Sequence, residues 1–163
     1  MPRSMIRVLL CVVLWWTAAG NGQGAEPWAD PSLKIRDGLV VWLDASVQPA
    51  AWRARGDRPQ LVDKSPLDVW FDGSGKNWDF AASAESSYPQ YSSENDRPSV
   101  RFDGTDDFLQ RVNGDLQCED FTAFIVASAT SNSGNFRAFL CAGAQGKNDY
   151  QSGFNIDQGP FES

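Results

Sequence analysis

Beyond about residue 25, the apolar residues of this chain come in runs too short for ordinary helices, and turn residues, Gly and Pro prominent among them, punctuate the sequence between the runs. That punctuation limits the fold more than any other feature. Residues 121–129, FTAFIVASA, are the strongest strand signal. Phe121, Ala123, Ile125 and Ala127 fall on one face, and Thr122, Phe124, Val126 and Ser128 on the other. Phe124 and Val126 make the second face apolar too, which predicts a strand covered on both sides. Residues 136–142, FRAFLCA, follow a Ser-Asn-Ser-Gly-Asn turn, so the two segments read as a hairpin. Residues 38–44, GLVVWLD, read as a buried strand. Residues 99–102 and 108–112 read as strands around the turn Asp103-Gly104-Thr105-Asp106-Asp107, and residues 153–156 as a last short strand. Helical signals are scarce: residues 31–37 hold one turn at most, and residues 81–96 read as loop. Many short strands with turns between them predict an all-β sandwich or barrel.

The N-terminus has a different character. Arg3 and Arg7 precede the uncharged run VLLCVVLWWTAA at residues 8–19, and small residues follow at positions 18–25. Positive, apolar and small-residue regions in that order are the pattern of a cleavable secretory signal peptide, assigned here to residues 1–25. The apolar run is about a dozen residues, short of the ~20 a membrane-spanning helix needs. Residues 26–36 then read as a linker, and residues 37–163 as one domain. The expectation is a secreted, extracytoplasmic protein with no stable membrane insertion after cleavage.

Composition narrows the chemistry. The chain has 14 basic and 21 acidic residues. Losing Arg3 and Arg7 with the leader leaves 12 against 21, a net charge of −9. Such a surface does not suit nucleic acid, which needs clustered Lys and Arg. There is no His, which excludes Ser-His-Asp and Cys-His hydrolytic arrangements. Of three Cys, Cys11 leaves with the leader. Cys118 and Cys141 remain as an even pair in an oxidising compartment, and a disulfide between them is the expectation. The alternative is two buried free thiols.

Three blocks carry a resemblance. They are GLVVWLDASV at residues 38–47, LVDKSPLDVWF at residues 61–71, and SVRFDGTDDFLQ at residues 99–110, followed by DFTAFIVAS at residues 120–128. Together they resemble the laminin-G-like, concanavalin A-like lectin/glucanase superfamily, in particular its bacterial secreted branch. Pro66 stands where that branch tends to have Gly. The resemblance implies an antiparallel two-sheet jelly-roll sandwich. Sandwiches of that superfamily usually continue for several strands beyond the equivalent of residues 152–157. A sandwich truncated at its C-terminal end is therefore expected, whether as a natural truncation, a fragment of a longer protein or a compact variant.

The resemblance also implies a binding module, with a glycan or other cell-surface component as partner. Glycosidases of the superfamily carry an ExDxxE-type strand, whose two carboxylates sit about 5 Å apart in retaining enzymes. Glu26, Glu85, Glu94, Glu119 and Glu162 build no such motif, so no enzymatic activity is expected. A structural domain with a protein partner is the alternative, and a glycan-active enzyme a more distant one. Trp70, Trp78, Tyr88 and Tyr91 lie in polar or turn-rich sequence and are the candidate ligand-binding residues. Asp103, Asp106 and Asp107 offer hard oxygen ligands that suit Ca²⁺. Asp and Gly at this spacing more often build the tight turn itself. No other cofactor is expected.

Overall fold

The computed structural model describes residues 6–9, 24–111, 114, 120–129, 138–148 and 151–157. Regular structure among them is mostly strand. In chain order the strands are β1 (Ile6–Leu9), β2 (Val69–Trp70), β3 (Phe80–Ala81), β4 (Gln90–Ser92), β5 (Ser99–Phe102), β6 (Val126–Ala129), β7 (Ala138–Gly143) and β8 (Gly153–Asp157). One α-helix, α1 (Gln48–Ala54), follows a 3₁₀ turn at Ala45–Val47. The fold is β-rich. Its sheets are small: four strands in the order β4-β5-β1-β6, and the pairs β2-β3 and β7-β8, with every ladder antiparallel.

Strand β1 pairs Val8 with Val100 on β5 and with Ala127 on β6, so it lies between them. It falls inside the segment read as the leader.

The helix forms where sequence reading saw none. Gln48, Ala51 and Trp52 are its buried face, at the i, i+3, i+4 spacing of an amphipathic helix. Pro49 sits in its first turn, where a missing N–H costs nothing. The Asp44 carboxylate accepts from the N–H and hydroxyl of Ser46 and caps the preceding 3₁₀ turn. The chain leaves the helix through Gly56, at φ +109°.

The core gathers Val41, Leu43, Ala45, Ala51, Trp52, Leu61, Leu67, Trp70, Phe71, Tyr91 and Val100. Residues 38–44 are buried as expected at Leu39, Val41 and Leu43, but they form no strand. Their backbone is held instead by residues 72–74. Gly73 N–H donates to the Trp42 carbonyl at 2.8 Å, and the Ser74 hydroxyl to the Val40 carbonyl at 2.9 Å. Gly73 fits closely there. A Cβ would lie 3.0 Å from a Trp42 ring carbon and 3.1 Å from Ala29 Cβ.

Several strand expectations are corrected. Residues 31–37 form turns, not a helical turn. Residues 108–111 contribute only an isolated bridge, Ala81 to Gln110, and Val112 lies outside the described residues. Residues 81–96 are not plain loop, since β4 and two 3₁₀ turns lie in them. The strand in residues 121–129 is shortened to β6, and all four of its residues are exposed. Alternation survives just before it: Ala123 and Ile125 pack towards the core, while Phe124 is 56% exposed. Among the described residues no layer covers the outer face, so the double apolar pattern did not produce double burial. β7 pairs with β8 rather than with β6, because the backbone register joins Leu140 to Ile156 and Ala142 to Phe154.

Candidate functional site

The surface is organised from one buried carboxylate. Asp72, fully buried, accepts four hydrogen bonds. Its Oδ1 takes the N–H groups of Trp42 and Ser74 at 2.8 and 2.9 Å. Its Oδ2 takes the Ser74 hydroxyl at 2.6 Å and the Trp78 N–H at 2.9 Å. A buried charge needs this degree of satisfaction to be tolerated. Gln48 plays a similar part beneath it. Its amide accepts from Phe71 N–H and donates to the carbonyls of Phe71 and Asp44, at 3.0–3.2 Å. One side chain thus pairs with Phe71 as a neighbouring strand would. Asp72 and Gln48 together set the path of residues 71–78.

That path ends at Asn77, whose φ of +58° turns the chain so that Trp78 follows at the surface. Trp78 is half-buried. The Arg111 guanidinium lies 4.6 Å from its ring centroid, and the Gly114 backbone is close enough that a Cβ would fall 2.8 Å from its ring edge. Arg111 also donates to the Asn77 carbonyl. Both coverings reduce the ring area open to a ligand.

The other aromatic candidates separate. Trp70 and Tyr91 are core residues, 1% and 3% exposed, and present nothing to a surface ligand. Burial pushes the Tyr91 hydroxyl above its ordinary value, with the charges of Asp63 and Asp44 acting in the same direction. Tyr88 is half-buried at the end of a 3₁₀ turn.

Trp28, which sequence reading passed over, is better placed. It lines an open depression of about 450 Å³ with Glu26, Pro27, Ala54 and Arg55. Glu26 and Arg55 form an ion pair at 3.4 Å. Arg55 also donates to the Asn77 side chain at 3.4 Å, and its guanidinium stands 5.3 Å from the Phe71 ring centroid. A second, smaller depression, lined by Gly24, Ala25, Glu26, Pro27, Gly75 and Asn77, shares Glu26 and Pro27 with it. The depressions offer one half-buried indole beside an acid, a guanidinium and an amide. No sequence motif marks Trp28. Its position becomes visible only through the Glu26 N–H bond to the Gly73 carbonyl, which docks residues 26–28 on the Asp72 turn.

The acidic turn is built as Asp-Gly turns are. Asp103 Oδ1 accepts from the N–H groups of Thr105 and Asp106, and Asp107 Oδ2 accepts from Asp103 N–H at 2.7 Å. Oxygens of Asp103, Asp106 and Asp107 come within 4.8 Å of one another. Partial burial would raise the Asp103 carboxyl, but N–H donation from Thr105, Asp106 and Asp107 outweighs it and holds that group below its ordinary value. Asp107 is pushed up, first by burial and then by the charges of Asp103 and Asp106, against the Asp103 N–H bond.

Cys141 is an exposed free thiol on β7. Its expected partner Cys118 lies outside the described residues. Among the described residues, no helix is long and apolar enough to cross a membrane.

Compared with known proteins, the chain matches no family model, no curated protein and no solved structure.

Proposed function

We propose that the exported part of this chain is a non-catalytic binding or adhesion module on a jelly-roll sandwich, and that it takes carbohydrate at the Trp28 depression. The observation that carries this reading is the half-buried Trp28 ring beside the Glu26–Arg55 ion pair and Asn77. Concave sites with an aromatic wall and a few converging polar groups suit a ligand that has both apolar and hydroxyl faces. A sugar ring is such a ligand. The absence of His and of an ExDxxE strand supports binding without chemistry.

Polysaccharide pull-down with the exported chain tests this. Trp28→Ala should reduce retention by at least about tenfold, the scale of one well-packed aromatic contact. Trp78→Ala should have the smaller effect, because Arg111 and Gly114 already cover its ring. Retention of no glycan, or equal retention by wild type and Trp28→Ala, rejects the assignment.

A protein partner is the second reading. It draws on the exposed residues Phe124 and Val126, 56% and 55% open, on and beside β6. Apolar area of this kind at a sheet edge favours protein association over sugar binding.

A further inference from the structure

Strand β1 belongs, on the leader reading, to a segment removed on export, yet it fills an interior position of the four-stranded sheet. β5 and β6 are not hydrogen-bonded to each other. Each is antiparallel to β1, so the two run parallel across a gap of two strand spacings, about 9.5 Å. Removing β1 exposes facing rows of backbone N–H and C=O groups on both. Closing the gap would move one strand by a full spacing and form a parallel ladder in place of two antiparallel ones. Val100, fully buried, ties β5 to the core and opposes that shift.

The register states what the slot accepts. Val8 lies between Val100 and Ala127, and Ile6 between Phe102 and Ala129. These rows call for apolar residues. The row between them is Arg101–Arg7–Ser128. The Arg101 Nε is buried without a hydrogen-bond partner, although its Nη1 stands 3.5 Å from a Glu94 carboxylate oxygen. A carboxylate in that row would supply both an acceptor and the opposite charge.

We propose that the space between β5 and β6 is an acceptor slot for an extended partner peptide of apolar–acidic–apolar pattern, held by Ile6–Leu9 until the leader is removed. Main-chain bonds to two strands supply the affinity, and the alternating side chains supply the specificity. The slot rests on the export reading, and the test separates the two.

The exported product is weighed by mass spectrometry. Amide hydrogen exchange is then followed alone, with a peptide containing Ile-Glu-Val-Leu, and with one containing Ile-Arg-Val-Leu. A mass that lacks residues 6–9 upholds export. Exchange on β5 and β6 should then be rapid alone and at least about tenfold slower with the Glu peptide, with a weaker effect of the Arg peptide. Strands already protected without peptide, or two peptides that protect equally or not at all, overturn the slot and leave export intact. A product that retains residues 6–9 defeats the export reading. In that case, or if the processed product is unfolded, Arg7→Glu in the uncut chain decides. A melting temperature higher by about 3 °C or more supports the acidic row, and an unchanged or lower one overturns it.

Discussion

Residues 24–111 and residues 120–157 contain similar apolar segments and treat them differently. In the first region, residues 38–44 form no ladder, yet Leu39, Val41 and Leu43 are almost completely buried. In the second, β6, β7 and β8 form ladders, yet β6 is exposed throughout and no residue of β7 or β8 is fully buried. Ladder formation and burial are therefore separate outcomes here. Backbone pairing needs only a neighbouring strand, whereas burial needs a second layer, and in the first region that layer is fastened by the polar side chains of Asp72 and Gln48. The described part of the second region meets the core through partly buried side chains. Ala123, Ile125, Phe139 and Leu140 lean on the core, and Phe121 lies on Phe154 with ring centroids 4.5 Å apart.

The largest effect that can break this contrast is expected at Asp72. Asp72→Ala leaves four donors without an acceptor in a buried site and should cost about 4 kcal/mol, measured by urea denaturation. A loss below about 1 kcal/mol would mean that the turn at residues 71–78 is held by packing alone. Gln48→Leu keeps the volume but strips Phe71 of both partners, so a loss of about 2 kcal/mol is expected. Gly73→Ala forces Trp42 and Ala29 apart and should cost about 1–2 kcal/mol. At the other extreme, Val126→Ser on β6 should change stability by no more than about 0.5 kcal/mol. A large loss there would show that this face is covered after all.

The smallest effect is the pH response of the acidic turn. Asp103 has a folded value below its ordinary 3.8, so its contribution is present above 3.8 and is lost as pH falls through the lower folded value. Asp107 has a raised folded value, so its contribution is fully present below 3.8 and is lost as pH rises through that higher value. The two oppose each other. Carboxyl-carbon NMR titration should find Asp107 protonating first on acidification, and Asp107→Asn should leave the stability of the molecule falling more steeply in acid. The reverse order of titration would overturn the assignment.

Parts of this were legible beforehand. β5 falls where the apolar flank of the Asp-Gly turn puts it, β8 covers the expected last short strand, and the Asp103–Asp107 turn follows from its own Asp and Gly residues. The helix α1 could have been found from Gln48, Ala51 and Trp52 with Pro49 in the first turn, but a seven-residue helix carries too few periods to stand out. The candidate site was less legible. Trp70 and Tyr91 sit among polar neighbours in sequence, yet they are buried in one cluster with Val41, Leu43, Ala51 and Trp52. Trp28 looks like a linker residue until Glu26 is bonded to Gly73.

By itself, then, the sequence determined the preference for short extended segments, the places where the chain turns and the absence of His-based chemistry. These depend on neighbours a few residues apart. Only the tertiary structure decided which apolar face is covered, which aromatic ring meets solvent, and that β1 lies between β5 and β6. Each of those depends on groups dozens of residues away. The hydrogen bond from Trp42 to Asp72 and the ladder from Val8 to Val100 exist only once the chain has closed on itself.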